Sequence, residues 1–163
     1  MTTQKGTGSR TPWQTDKWFV SPWNYLPEVT QGFAFPTRIQ FHDVCLRDGE
    51  QQAGVEFTPK EKIKLATMLA EAGVHRIEAG MPAVSKYDAQ AITEIVKLKL
   101  PAEIFAFSRC MVEDVKRAVD TGVKGIVMEV PASEHIIQYA YRWSPEKAID
   151  LSISATQRAK ELG

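Results

Sequence analysis

The sequence predicts an α/β chain built on a parallel sheet, and three observations lead there. From residue 39 onward, short apolar runs alternate with longer amphipathic stretches, the pattern produced by parallel strands joined through crossover helices. Helix openings are spelled out twice, as Thr58-Pro59-Lys60-Glu61 and Ser144-Pro145-Glu146-Lys147, each a capping hydroxyl, a first-turn proline and an early acid. An arginine, two carboxylates and an amide crowd around Gly49 in Leu46-Arg47-Asp48-Gly49-Glu50-Gln51, at the exit of the first apolar run. That is where a parallel sheet keeps its chemistry.

Taken in order, residues 1–10 are too poor in apolar side chains to order themselves and are expected to be a mobile tail. Residues 11–37 interleave Trp13, Trp18, Phe19, Trp23, Tyr25, Phe33 and Phe35 with Pro12, Pro22, Pro27 and Pro36. Prolines forbid a long helix or central strand there, while the aromatics favour burial. An irregular arm is expected, lying on the chain's own surface or docking on a partner subunit. The division is therefore residues 1–37, tail and arm, and residues 38–163, the folded domain.

The first strand is expected over residues 39–45. Ile63, Leu65, Ala66, Leu69 and Ala70 form the apolar stripe of a first helix that Thr58 caps and Gly73 ends. A second strand covers residues 75–79. Ile92, Ile95 and Val96 mark a second helix over residues 87–98, closed by Leu100-Pro101. Residues 103–107 form the third strand, residues 112–121 the third helix, and residues 125–130 the fourth strand, stopped by Pro131. A fourth helix runs from Ser144 to Leu162. Four strand–helix units are half of a (β/α)8 TIM barrel, which takes about 250 residues. The expected fold is thus a partial barrel, either a fragment of a longer gene product or a half that must pair with another to hide its open sheet edges.

Composition narrows the function. The chain has 163 residues, one domain's worth, and its 20 Lys plus Arg balance its 20 Asp plus Glu. No bulk field favours nucleic acid or an acidic membrane. Cys45 and Cys110 stand far apart without paired spacing, which argues against a disulfide framework or zinc knuckle and for a reduced, cytoplasmic compartment. No apolar run approaches the roughly 20 residues of a membrane helix, and no secretory signal core is apparent.

From the residues alone, Asp48 could offer oxygen to a hard divalent cation and Arg47 could hold a carboxylate or an oxyanion in its planar fork. A solvated loop with a local ion pair is the competing reading. His42 and His75 read as core or rim histidines, and Glu50 as structural, since a second bare carboxylate beside Asp48 needs a partner. Gln51 could bond a substrate or tie the loop.

Asp43-Val44-Cys45-Leu46-Arg47-Asp48-Gly49-Glu50-Gln51, with Ala53-Gly54-Val55 after it, resembles the signature of the 2-isopropylmalate synthase/homocitrate synthase family of DRE-TIM metallolyases. Ala72-Gly73-Val74 and Ile77-Glu78-Ala79-Gly80-Met81-Pro82-Ala83 resemble that family's second-strand motif. The resemblance begins at Ile39 and leaves the arm uncovered. It implies the N-terminal half of a catalytic barrel, an acyltransferase that condenses acetyl-CoA or a related acyl-CoA with a 2-oxo acid, and a homodimer in the complete protein. It further implies that Asp48 is a metal ligand, with Mg²⁺ or Mn²⁺ as the ion and Zn²⁺ as an alternative. Arg47 would be the catalytic and substrate-holding cation, Glu78 the acid that orients it, and Gln51 a substrate contact. Asp48 together with Glu78-Ala79-Gly80-Met81-Pro82 leans toward 2-isopropylmalate or citramalate synthase, hence toward amino-acid biosynthesis.

Three departures qualify the implied site. Cys45 stands where the family has a hydroxyl. Ser133-Glu134-His135-Ile136 resembles the family's Ser-Asp-x-His, with His135 one place early for the acid-base histidine. The family's His-x-His metal pair is absent from this sequence. Alone, the chain is therefore expected to bind metal weakly and to be inactive. Competing functions are a carbon–carbon lyase of the same superfamily, although Gly49-Glu50-Gln51 argues against the 3-hydroxy-3-methylglutaryl-CoA lyase branch, and an inactive half-barrel that binds a partner.

Overall fold

The computed structural model describes residues 11–163, so the expected mobile tail lies outside the described residues. The chain divides into two units, one ending at Ile39 and one spanning Gln40–Gly163. In the first, a bridge pairs Gln14 with Phe19, and two short turns follow, a 3-10 turn at Pro22–Tyr25 and the one-turn helix α1 at Pro27–Thr30. Each opens on a proline, whose fixed φ starts a turn and whose missing N–H stops any ladder. The Trp13 and Tyr25 rings meet at 5.9 Å, and Phe33 meets Phe35 edge-on at 5.7 Å.

The second unit is a four-stranded parallel sheet in the order β1-β2-β3-β4, with β1 at His42–Asp43, β2 at Arg76–Glu78, β3 at Glu103–Arg109 and β4 at Gly125–Glu129. Between and after the strands run α2 (Pro59–Glu71), α3 (Lys86–Lys97), α4 (Val112–Asp120) and α5 (Pro145–Leu162). Thr58 and Glu61 close a reciprocal capping box at the start of α2, as the sequence anticipates. At its end Gly73 takes φ +89, which lets the Val74 N–H reach back to the Leu69 carbonyl. No helix among the described residues is long and apolar enough to cross a membrane.

Strand alternation gives the sheet two chemically different faces. Ile77, Ala79, Ile104 and Ala106 join Ala66, Ala70, Ile92 and Ile95 in one buried cluster with α2 and α3. A smaller cluster packs Cys110 and Val115 against Ala155 of α5. Along the other face, Glu78, Phe105 and Gly125 share one row of the register, and Phe107 and Val127 the next. A Cβ at Gly125 would strike the Phe105 ring, so any larger residue there would force that ring to move.

One expected element is corrected. The first strand is expected over residues 39–45 but pairs only at His42–Asp43. Just beyond it the Val44 carbonyl gathers the N–H groups of Arg47, Asp48 and Gly49 at 3.1, 2.8 and 3.3 Å, and the chain turns at once. Just before it the Phe41 N–H donates to the His75 ring at 3.1 Å instead of to a carbonyl. Apolar residues continue on both sides, but the Val44 carbonyl is spent on the turn and the Phe41 N–H on a side chain. A π-helical turn at Ile136–Ala140, which the sequence did not suggest, lies between β4 and α5.

Candidate active site

The chain leaves β1 through a turn that Asp43 begins, its carboxylate accepting the Cys45 N–H at 2.9 Å. Leu46 is fully buried in the helix-side cluster and anchors that turn. Arg47 then spans the carboxyl ends of three strands. Its Nε donates to Glu78 at the end of β2, its Nη1 donates to Asp48 at 2.9 Å, and its guanidinium lies 4.5 Å from the centre of the Phe107 ring on β3. Three supports of different kinds hold one planar cation in place.

Glu78 is the buried anchor, with 2% of its side chain exposed. Its second oxygen lies 3.3 Å from Nε2 of His42, whose ring meets Phe105 edge-on at 5.4 Å. The rim histidine of the sequence reading thus buttresses the carboxylate that holds Arg47. Sequence reasoning assigned His42 no role, and the register that sets β1 beside β2, with His42 opposite Arg76, is what brings it to Glu78.

Asp48 is 61% exposed and shares only one oxygen with Arg47. It therefore fits one corner of a hard-cation site. No three His, Cys, Asp or Glu side chains come together to hold a metal among the described residues, whereas a catalytic centre takes about three protein ligands. The donor set present fits a divalent cation in part only.

Glu50 is structural, as expected: one oxygen accepts the Phe57 N–H at 2.9 Å and the other lies 2.7 Å from Nζ of Lys62. Gln51 ends the 3-10 turn Gly49–Gln51, is exposed, and lines a cleft of about 390 Å³ together with Arg47, Phe57, Met81 and Tyr87. The Cys45 thiol donates to Asp43 at 3.3 Å; that bond first, then burial, pushes its pKa above the ordinary value. His75 sits at the far, amino end of β2 and accepts from Phe41. His135 lies on the loop after β4, exposed, its ring 4.7 Å from that of Tyr139, and no hydrogen bond among the described residues joins it to Arg47, Asp48 or Glu78. Lys62 and Asp88, which line the same cleft, escaped the sequence reading. The signal was there: Lys62, Ala66 and Ala70 follow one another at four-residue steps on the buried face of α2.

Comparison with known proteins agrees with the two motifs. Homocitrate synthase AksA of Methanothermobacter thermautotrophicus is 34% identical over 147 residues, 90% of this chain and 37% of its own length. The 2-isopropylmalate synthase of Methanocaldococcus jannaschii is 37% identical over 138 residues, 85% of this chain and 27% of its own. The putative (R)-citramalate synthase CimA of Methanoculleus marisnigri is 39% identical over 129 residues, 79% of this chain and 26% of its own. The chain thus spans about a quarter to somewhat over a third of the length of these relatives. Among solved structures, HMG-CoA lyase of Bacillus subtilis superposes with a TM-score of 0.67 at 18% identity, over 79% of this chain and 45% of the lyase. That likeness shows the fold, a parallel α/β sheet like part of the lyase barrel. The family model described as HMGL-like matches residues 38–163, the segment that contains both motifs, all four strands and the Arg47–Glu78 pair, and the chain belongs to that family.

Proposed function

We propose that the chain is the N-terminal part of the catalytic barrel of an acyl-CoA-condensing synthase, joining acetyl-CoA or a related acyl-CoA to a 2-oxo acid in the manner of a 2-isopropylmalate synthase. The observation that carries this reading is the Arg47 guanidinium, fixed by Glu78, Asp48 and the Phe107 ring at the carboxyl ends of the strands. A cation held by three supports is preorganised for charge that develops on an oxygen.

In the reaction, the α-carbon of the acyl-CoA loses a proton and bonds to the carbonyl carbon of the oxo acid, whose oxygen becomes an alkoxide. Water then cleaves the thioester and releases CoA as the thiol. Arg47 turns its remaining N–H groups to the oxo-acid oxygen and stabilises the alkoxide. Glu78 orients Arg47 and does not react. Gln51 offers its amide to the substrate from the cleft wall. His135 carries a proton in the acid-base steps, a role supported by its loop leaving the carboxyl end of β4. Asp48 contributes one oxygen ligand to a divalent cation, Mg²⁺ or Mn²⁺, which when bound polarises the oxo-acid carbonyl as a Lewis acid. The leucine-branch substrate is favoured by the Glu78-Ala79-Gly80-Met81-Pro82 motif and by the similarity to 2-isopropylmalate synthases.

The test is thiol release by the full-length protein with acetyl-CoA, a panel of 2-oxo acids and added Mg²⁺ or Mn²⁺. Release is expected with at least one oxo acid, and Arg47→Ala is expected to lower turnover by about a hundredfold or more, as loss of an oxyanion donor does. No release with any oxo acid, or an Arg47→Ala variant that keeps most of its turnover, would overturn the reading.

A further inference from the structure

Beside the Arg47–Glu78 pair, along the cleft wall, lies a second charge cluster centred on a buried lysine. Lys62 of α2 is 3% exposed, and its Nζ reaches three oxygens from three segments: Oε2 of Glu50 at 2.7 Å, Oδ1 of Asp88 on α3, and the backbone carbonyl of Leu46 at 3.2 Å. An ammonium has three protons, and all three are used. Burying such a cluster is costly, and apolar residues of similar volume commonly serve stability as well or better. Stability alone therefore gives little reason for a lysine here.

Where the partners sit gives a better one. Leu46 is the residue immediately before Arg47. Glu50 uses its other oxygen on the Phe57 N–H, closing the loop that carries Arg47 and Asp48 back toward α2. Asp88 uses its other oxygen on the N–H of Met81, three residues past Glu78. The fit at that point is close: a Cβ on Gly80 would lie 2.6 Å from Asp88 Oδ2, and Gly80 has φ +148. Arg47 and Glu78 are 31 residues apart in sequence, yet the segments carrying them hang from the same ammonium.

We propose that Lys62 is a positioning residue: by holding Leu46, Glu50 and Asp88 together it sets the exits of β1 and β2 so that the Arg47 fork meets Glu78. What the pair then does rests on the acyl-transfer reading; how it is held does not. Lys62 touches no reacting atom. Its removal should loosen two loops and lower turnover without loosening the rest of the sheet.

The experiment is hydrogen exchange read by mass spectrometry on the full-length protein, with steady-state kinetics on the same samples. In Lys62→Met, residues 44–57 and 79–88 should exchange on the order of tenfold faster while residues 103–109 and 145–162 keep their wild-type rates. Turnover should fall on the order of a hundredfold, with KM for the acyl-CoA changing far less, as for a misplaced catalytic group. Should Lys62→Met fail to fold, two milder variants divide the cluster. Asp88→Asn should loosen residues 79–88 alone, and Glu50→Gln residues 44–57 alone. Unchanged exchange in both loops, uniform acceleration that includes residues 103–109, or loosened loops with full turnover would each overturn the proposal. A wild-type protein that releases no CoA would count against the acyl-transfer reading, and the exchange pattern would still decide whether Lys62 sets the pair.

Discussion

Removing either partner of the Arg47–Glu78 pair should cost very different amounts, because the two sides are buried so differently. Glu78 is 2% exposed, and without Arg47 it keeps, among the described residues, only His42 at 3.3 Å as an ion-pair partner. Arg47→Met thus leaves a carboxylate stranded out of water, which costs about 3–5 kcal/mol when a buried pair loses one member. Arg47 is 16% exposed, and without the Glu78 charge it keeps Asp48 at 2.9 Å and the Phe107 ring. Glu78→Gln, whose amide oxygen can still accept from Nε, should cost only about 1–2 kcal/mol, the difference between a charge-assisted and an ordinary bond. In the double variant no stranded charge remains, so its cost should fall about 2 kcal/mol short of the sum of the singles. Urea unfolding followed by circular dichroism, with m held common, measures all three. A double variant as unstable as the summed singles, or an Arg47→Met cost below about 1 kcal/mol, would refute the view that burial of Glu78 governs the site.

Asp48→Asn should leave stability within about 0.5 kcal/mol, because the side chain is 61% exposed, yet weaken activation by Mg²⁺ or Mn²⁺. An unchanged metal titration of turnover would remove Asp48 from the ligand set. Gly80→Ala should cost about 1–3 kcal/mol in thermal unfolding, since it forces a Cβ onto the Asp88 carboxylate in a left-handed conformation. A wild-type melting temperature would contradict that. The Glu61 carboxyl is held below its ordinary value of 4.5, chiefly by the Thr58 hydroxyl and then by the Thr58 N–H. Its folded pKa is depressed, so the stabilisation it brings is complete above 4.5 and is lost as pH falls through the folded value. Thr58→Ala should return the Glu61 titration, followed by carboxyl NMR, toward 4.5, and a titration left where it was would show that the cap is not the cause.

The sequence carries the α/β order well because its punctuation is local. Thr58-Pro59 and Ser144-Pro145 fix helix starts through side chains bonded three residues away, and α2 and α5 begin where those residues stand. Glu78, Ala79 and the apolar alternation of Ile104 and Ala106 mark faces that the register then aligns. The first strand is overextended by the same reasoning because hydrophobicity does not record where backbone groups go. Val44 is apolar and β-branched, yet its carbonyl serves the turn that presents Arg47. The pairing of Arg47 with Glu78 follows from the family resemblance, whereas the support of His42 and Lys62 comes from contacts between segments far apart in sequence that no local pattern specifies. Lys62 could have been suspected from a lysine on the buried line of α2, but not its three partners.

The charge balance around this site differs from that of the chain. Overall, 20 basic residues match 20 acidic ones, whereas here two cations, Arg47 and Lys62, face four carboxylates, Glu78, Asp48, Glu50 and Asp88. All four are paired, Glu78 and Asp48 with Arg47 and Glu50 and Asp88 with Lys62, so the cluster carries two more negative charges than positive ones. Of the four, Asp48 is the most exposed, at 61%, and its second oxygen is left to solvent. On the proposed acyl-transfer reading, an anionic oxo acid near Arg47 would also face that carboxylate, and at 4 Å two like charges repel by about 1 kcal/mol even in water, more in a partly closed cleft. A divalent cation held by Asp48, as that reading proposes, would reverse the sign of the interaction. On the proposed acyl-transfer reading, a cation would therefore be expected to precede the oxo acid, and oxo-acid binding by the full-length protein should weaken when Mg²⁺ and Mn²⁺ are removed; binding that is indifferent to the metal would contradict this expectation.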